Sequence, residues 1–242
     1  MQPWLLELLC CPVTGESLSL EMKRAEGDTI LEGLLRSSSG REYFIGDGIP
    51  RLLPSAQVGL RTRESFGLQW QKKREGKMDS SRTCYGYDLE AQTDWICREI
   101  LGEESGGGKL LLDAGCGIGD KGGPLSERGY RVVAFDLTDA VDGARERHGE
   151  SDNLCFVQAD ALHPPFKKNR FDVALAIGSL HHTPDAHGGF RAIASLAKEK
   201  SRLGVWLYPK DRREVNPVLS KLYRIRDALP GLQRLPPRAI YA

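Results

Sequence analysis

Five short apolar runs recur between residues 109 and 209, and most are separated by stretches that mix polar and apolar residues. The runs are KLLLD (109–113), RVVAFD (131–136), LCFVQAD (154–160), FDVALAIG (171–178) and RLGVWLYP (202–209). Runs this apolar are typical of strands buried on both faces, while PLSERG, TDAVDGARERHG and DAHGGFRAIASLAKEK can form helices. The pattern predicts an α/β fold, with a parallel sheet covered by helices on both faces.

The first fifty residues follow a different pattern. SLSLEMKR, TILEGLLRS and REYFI alternate polar and apolar residues and are separated by EGD and SSSG, which predicts a small antiparallel sheet. We therefore expect a small, mostly-β domain at 1–54 and a connecting arm at 55–87, in which Phe66, Trp70, Tyr85 and Tyr87 are isolated aromatics. The α/β domain would span 88–242, opening with a helix that runs from Asp88 to the Gly-rich SGGG.

The stretch LLDAGCGIG directly follows the first predicted strand of that domain. Glycines after such a strand permit a sharp turn and allow a ligand to approach the backbone where a Cβ would collide. The turn residues Asp113, Gly115, Gly117 and Gly119 thus predict a bare ledge edged by a carboxylate.

Two later strands also end in carboxylates. Asp136 closes the second strand and can accept hydrogen bonds from both ribose hydroxyls, although Asp136 or Thr138 could instead cap the next helix. Asp160, followed by Ala161, ends the third strand and can accept from an adenine amine, although it could also be a solvated strand end. Together the three strand ends favour a nucleoside site.

The spacing G-x-G-x-G and Asp120 argue against a dinucleotide. The dinucleotide fingerprint is G-x-G-x-x-G, with the helix N-terminus open to a diphosphate. Here a carboxylate, Asp120, stands at the sixth position. A cofactor that carries a sulfonium and an ammonium but no phosphate fits Asp113 and Asp120 better.

With these motifs, residues 89–209 resemble the class I S-adenosylmethionine-dependent methyltransferases, type 11-like, with a Rossmann-like sheet. DAGCGIG is similar to the family's first motif, AFDLT to its second, and QADALHPPFKKNRFDVALAIGSLHHTPD to its adenine-contact and fourth-strand motifs. The resemblance implies S-adenosylmethionine as cofactor. It implies contacts to methionine from Asp113, Gly115, Gly117 and Gly119, to ribose and adenine from Asp136, Leu137, Asp160 and Ala161, and around the methyl-donor mouth from Gly178 and His181.

Two departures from the family concern its fifth strand and the C-terminus. The family's Lys-Pro-Gly-Gly turn is replaced by Lys198-Glu199-Lys200-Ser201, which predicts a different loop. After Pro209, KLYRIRDAL reads as a helix and LQRLPPRAIYA is Pro-rich, so the usual last two strands are not predicted. The hypotheses are a truncated chain, a shortened sheet, or a partner that completes it.

The N-terminal segment resembles the zinc-ribbon-like domain that precedes or partners many methyltransferases, through LLCCPVTGESL and REYFIGDGIPRLL. A tetrahedral zinc site needs four ligands, whereas this segment offers only the cysteines Cys10 and Cys11. We therefore expect a zinc-ribbon-like fold without zinc, and no metal elsewhere.

His181 and His182, at the end of the fourth strand, are the candidate general bases, with capping or pocket lining as the alternative. Methyl transfer from a sulfonium needs little more than positioning, so a base matters only for some acceptors. Tyr85 and Tyr208 are further candidates for acceptor contacts, with packing as the alternative. His148 and His163 are interpreted as surface residues, and Cys116 as a packing residue.

Composition and charge add limits. The chain has 242 residues and no run long enough to cross a bilayer, its start lacks signal-peptide features, and its six scattered cysteines favour reduced thiols, so we expect a cytoplasmic protein. Residues 191–242 hold 12 Lys/Arg against 4 Asp/Glu, whereas 1–190 hold 22 against 29.

Three functional hypotheses follow. The first is an enzyme that methylates a small molecule, with the N-terminal domain and the arm (Phe66 to Tyr87) closing over the substrate. The others are a catalytically silent partner subunit and an RNA-modifying methyltransferase that uses the basic tail. The complete glycine turn expected for the cofactor argues against a catalytically silent subunit. The lack of a basic, aromatic-interleaved stretch near the site argues against RNA.

Overall fold

The computed structural model describes residues 1–77, 88–149 and 151–207. The N-terminal part begins with a short helix, α1 (Pro3–Leu6), and continues as a meander of four strands: β1 (Leu18–Glu26), β2 (Thr29–Ser37), β3 (Glu42–Gly46) and β4 (Ile49–Leu52). The first three pair antiparallel in sequence order, and β3 pairs antiparallel with β4. The predicted small antiparallel sheet is confirmed.

The segment predicted as a connecting arm contains a helix, α2 (Leu60–Arg74). Its sequence carries no clear apolar stripe, which is why the periodicity did not predict it. Thr62, Phe66 and Trp70 recur every four residues and therefore share one face. The last part of the arm, 78–87, including Tyr85 and Tyr87, lies outside the described residues.

The helix predicted from Asp88 consists of α3 (Leu89–Trp95) and a π-helical turn (Ile96–Leu101). Asp88 caps it, since its carboxylate accepts from the amide of Ala91 at 2.9 Å. The helix ends at Gly102, which adopts a φ of 64°, rather than at SGGG as predicted. A left-handed glycine directly after the last turn is enough to end it.

The α/β part contains five parallel strands: β5 (Leu110–Ala114), β6 (Arg131–Asp136), β7 (Leu154–Ala159), β8 (Phe171–Ile177) and β9 (Ala197–Trp206). The intervening helices are α4 (Gly122–Glu127), α5 (Ala140–His148) and α6 (Ala186–Ala194). All five predicted strands are present. The segment 198–201 lies within β9 rather than in a loop, with a register irregularity and a φ of 61° at Lys200.

The nine strands form one continuous sheet in the order β1-β2-β3-β4-β7-β6-β5-β8-β9. The junction is β4, which pairs parallel with β7 through Arg51 with Gln158 and Leu52 with Ala159. The N-terminal meander thus extends the parallel sheet at its β7 edge. The division into 1–54, 55–87 and 88–242 stays a prediction about folding units.

Alternate residues of the central strands enter two separate cores, so the sheet is covered on both faces. Leu112 belongs to a core that includes residues of α1 and α6, and Leu111 to one that includes residues of the π-helical turn, α4 and α5. Because β5 has β6 on one side and β8 on the other, the order in which successive strands are added to the sheet reverses at β5. A crevice at the carboxyl ends of these strands is the expected ligand position. Among the described residues, no helix has the length and apolar character needed to span a membrane.

Candidate active site

A cleft lies at the carboxyl ends of β5, β6, β7 and β8 and is roofed by α2. Most of its lining is apolar or uncharged. The strand ends contribute Gly115, Phe135, Asp136, Leu137, Thr138, Ala159, Asp160, Ala161, Leu162, Gly178, Ser179, His182, Thr183 and Pro184, and the arm contributes Val58, Gly59, Thr62, Phe66 and Trp70. Seven of the predicted site residues are therefore brought together: Gly115, Asp136, Leu137, Asp160, Ala161, Gly178 and His182.

Asp136 links the second strand to the glycine turn. One carboxylate oxygen accepts from the amide of Gly117 at 2.9 Å, and the other accepts from the amide and hydroxyl of Thr138 at 2.9 and 2.8 Å. Burial raises the pKa of Asp136, and these donors oppose the rise. The contacts with Thr138 correspond to the local capping alternative, while the cleft position leaves lone pairs for a ligand, since a carboxylate can accept about four hydrogen bonds.

Asp160 is almost fully buried, and one of its oxygens accepts from the amide of Leu162 at 3.1 Å. The other lies 2.8 Å from Nδ1 of His163. His163, predicted to be a surface residue, is exposed but contacts the carboxylate at the expected adenine position. Its spacing of three residues after a strand-end aspartate is the signal that the sequence offered.

Asp113 lies beneath the turn and does not line the cleft. It is 1% exposed, and within the described structure its Oδ2 has no hydrogen-bond partner. Burial raises the pKa of this carboxyl to about 6, with Lys121 opposing the rise. A buried, unpartnered carboxyl oxygen next to the glycine turn fits a cationic ligand group.

The three glycines of the turn all adopt positive φ values, 79° at Gly115, 55° at Gly117 and 78° at Gly119, a conformation that favours glycine. Each also makes room for a side chain of the protein itself. A Cβ on Gly115 would collide with Ser179, one on Gly117 would lie 2.5 Å from the Trp70 ring, and one on Gly119 would lie 2.9 Å from the His148 ring. Of the three, only Gly115 is among the residues that line the cleft. Gly117 is covered by the Trp70 ring, which lines the cleft in its place.

His148 is half-buried rather than a surface residue as predicted. Its ring stacks on Phe156 at 6.2 Å between centroids and lies where a Cβ on Gly123 would be. Burial, followed by the charge of Arg147, lowers the pKa of His148. Two glycines and an aromatic therefore create the space for this ring, a relationship that only tertiary packing shows.

His181 and His182 differ in their surroundings. His182 lines the cleft, and its ring packs edge-on against Phe66 of α2 with centroids 4.7 Å apart. His181 does not line the cleft, although the two imidazoles lie 4.0 Å apart. Of the two predicted bases, His182 has access to a ligand, whereas both ring nitrogens of His181 are buried.

Cys116 is 4% exposed, and burial raises the pKa of its thiol well above the usual value. A thiol that stays protonated in a core is a packing group, in line with the sequence interpretation. In the N-terminal part, Cys10 and Cys11 are buried, and Sγ of Cys11 lies 3.2 Å from the Tyr43 hydroxyl. Tyr208 and the basic segment from 208 onward lie outside the described residues.

Comparison with known proteins supports a specific family for this part of the chain. Residues 112–205 match the family model described as a methyltransferase domain. The chain is 34% identical over 107 residues to sterol 24-C-methyltransferase ERG6B of Gibberella zeae, covering 41% of this chain and 27% of that protein. It is 31% identical over 115 residues to the ubiquinone biosynthesis O-methyltransferase of Aeromonas salmonicida, covering 46% of each.

Among solved structures, magnesium protoporphyrin IX methyltransferase from Synechocystis, crystallised with bound S-adenosylhomocysteine, shares the fold. The TM-score is 0.52 at 22% identity, over 69% of this chain and 77% of that one. The chain spans less than half the length of the two curated relatives. The parallel-sheet part is therefore a class I S-adenosylmethionine-dependent methyltransferase domain, as the motifs predicted. The match begins at 112, so the zinc-ribbon resemblance and the absence of zinc stay predictions.

Proposed function

We propose that this protein transfers a methyl group from S-adenosylmethionine to a small-molecule acceptor. The observation that carries the proposal is the convergence of Asp136, Asp160 and the glycine turn at one cleft that is otherwise uncharged. Bound there, S-adenosylmethionine would supply a methyl group already activated by the positive sulfur. The protein then has to bind, orient and exclude water.

The residues present fit that cofactor. In this proposal Asp136 accepts hydrogen bonds from the ribose hydroxyls and Asp160 accepts from the adenine amine. Leu137 and Ala161 provide apolar contact to the base. Gly178 borders the donor mouth. Asp113, Gly117 and Gly119 are the proposed contacts of the methionine end, although Asp113 is buried and Gly117 is covered by Trp70.

The acceptor half of the cleft favours a neutral molecule. The charged residues in the described lining are Asp136 and Asp160, and both belong to the nucleoside half. The remainder, between Phe66, His182 and Pro184, offers apolar surface and hydroxyls. A phosphate or carboxylate on the acceptor would find no cation there, so a neutral, largely apolar acceptor fits best. His182 is then the group that could take a proton from an acceptor hydroxyl.

Titration calorimetry with S-adenosylmethionine, S-adenosylhomocysteine and NADH tests the proposal. We expect both adenosyl compounds to bind and NADH not to bind. Methylation of neutral hydroxyl compounds, followed by transfer of a labelled methyl group, tests the acceptor class. The proposal would be contradicted if neither adenosyl compound bound at about millimolar concentration. Such a result would mean a binding free energy weaker than about 4 kcal/mol. Salt-sensitive binding to tRNA would favour the RNA alternative.

A further inference from the structure

Helix α2 lines the cleft through Thr62, Phe66 and Trp70, and both of its ends contact the strand-end loops. At its start, a Cβ on Gly59 would lie 2.5 Å from Leu137, beside the ribose position. In the first turn of the helix, Arg63 forms an ion pair with Asp139, with 3.8 Å between a guanidinium nitrogen and Oδ1. At its end, Trp70 lies over Gly117 and Lys73 forms an ion pair with Asp120. We call residues 59–74 the strap.

The ion pair at the end of the strap is shielded from solvent. The Lys73 and Asp120 side chains are 11% and 10% exposed, and Lys73 Nζ also lies 5.6 Å from the centre of the Trp70 ring. Asp120 accepts in addition from Arg147 at 2.6 Å. Although burial alone raises it, the pKa of Asp120 is lowered by Lys73 and Arg147, so this carboxylate is held ionised.

The contacts at this end coincide with the position expected for the methionine part of the donor. If the donor lies along the turn toward Asp120, its backbone contact at Gly117 is covered by the Trp70 ring. Its ammonium would meet a carboxylate that already holds the ammonium of Lys73. Lys73 pairs with one oxygen of this carboxylate and Arg147 with the other, so a third cation has to compete with one of them.

We propose that the strap gates the donor site: Trp70 and Lys73 occupy the methionine end, and the donor enters when the C-terminal half of the strap lifts. This inference rests on the proposed function and concerns the same cleft. Lys73 is then a competitor of the donor's ammonium for Asp120. The apparent association constant of the donor is the intrinsic association constant multiplied by the fraction of molecules in which the strap is open.

The Lys73→Gln variant tests the competition. Asp120 keeps Arg147 in this variant, so the buried carboxylate stays paired and the fold is expected to persist. The matched control is Lys77→Gln, since Lys77 is 70% exposed and pairs with Glu75. Calorimetry with S-adenosylhomocysteine on the full chain is expected to show roughly three- to tenfold tighter binding for K73Q, equivalent to about 0.7–1.4 kcal/mol, and no change for K77Q.

Weaker binding by K73Q would overturn the proposal, because Lys73 would then contribute to donor binding, for example by pairing with the carboxylate of the donor's methionine part. Equal binding by K73Q and wild type would overturn it as well. If wild type, K73Q and K77Q all fail to bind, the proposed function fails together with the gate. Binding by all three without a difference overturns the gate alone.

Hydrogen exchange gives a second readout that does not depend on a substitution. When S-adenosylhomocysteine is added, amides of residues 66–74 are expected to exchange faster, because this half of the strap leaves the turn, while those of β5 and β6 become more protected. Slower exchange in 66–74 would show that the strap closes over the ligand and would overturn the proposal.

Discussion

The carboxylate of Asp136 accepts a hydrogen bond from the backbone amide of Gly117 over 2.9 Å, so the end of β6 holds the glycine turn that follows β5. Asp136 therefore orders the neighbouring loop and also offers its remaining lone pairs to the cleft. The two sides of the expected nucleoside site are joined before any ligand binds.

Asp136→Asn removes the charge while keeping the shape of the side chain. Hydrogen bonds to a charged group contribute about 1.5–3 kcal/mol, so we expect S-adenosylhomocysteine to bind at least ten times more weakly. Calorimetry measures this loss. Asp152→Asn, at an exposed position, is the control. Wild-type affinity in D136N would exclude Asp136 from ligand binding.

Gly117→Ala and Gly107→Ala form a matched pair, because the two glycines have φ values of 55° and 54°. Both variants carry the backbone penalty of about 1 kcal/mol for a left-handed alanine. At Gly107 a Cβ meets nothing within 4 Å, whereas at Gly117 it meets Trp70 at 2.5 Å. We expect G117A to lower the free energy of unfolding by at least 1 kcal/mol more than G107A in chemical denaturation. Equal losses would show that Trp70 does not pack on the turn.

Asp113 predicts a specific pH dependence of stability. Because burial raises its pKa from 3.8 to about 6, the folded protein holds a proton that the unfolded chain has released over this range. The carboxyl therefore stabilises the fold at low pH, and this contribution is lost as the pH rises through about 6. The Asp113→Asn variant keeps the shape of the side chain but does not titrate, so this pH-dependent contribution is absent from it. We expect the free energy of unfolding of D113N, relative to wild type, to rise by on the order of 3 kcal/mol from pH 4 to pH 7.

Chemical denaturation at four pH values between 4 and 7 measures this difference, with Asp152→Asn as the exposed control. A difference between D113N and wild type that does not change with pH would mean that Asp113 is ionised throughout the range.

His182→Gln and His181→Gln separate a base from a pocket wall. If His182 takes the acceptor proton, kcat of H182Q falls by about 100-fold or more, and the acidic limb of the pH–rate profile disappears. The kcat of H181Q is expected to fall much less, because His181 does not line the cleft. A higher KM for H182Q with kcat unchanged would assign His182 to acceptor binding alone.

Leu52 tests whether the meander and the parallel sheet unfold together. It is fully buried on β4, the strand that joins them. We expect Leu52→Ala to cost about 2–5 kcal/mol and to shift one cooperative transition seen identically by circular dichroism and by fluorescence. Val13→Ala, at a 44% exposed position, is the control. Two separate transitions would show that residues 1–54 form an independent domain.

Local pattern was sufficient for the strands and for the strand-end carboxylates. β6 is RVVAFD because a strand buried on both faces needs a continuous apolar run, and a run can be read without knowing its neighbours. The turn at Gly115, Gly117 and Gly119 was readable for the same reason, since the backbone conformations that a residue allows are a local property.

The sequence by itself determined the five strands of the parallel sheet, the glycine turn and the acidic strand ends, because these follow from the period of apolar residues and from the conformations each residue allows. Tertiary structure alone decided that β4 pairs with β7, that Trp70 covers Gly117 and that Lys73 reaches Asp120 across 47 positions. These contacts join residues far apart in the chain, and their stability comes from shared burial and paired charge. No local pattern encodes such a pairing, so the sequence predicted the glycine turn and only the structure showed what packs on it.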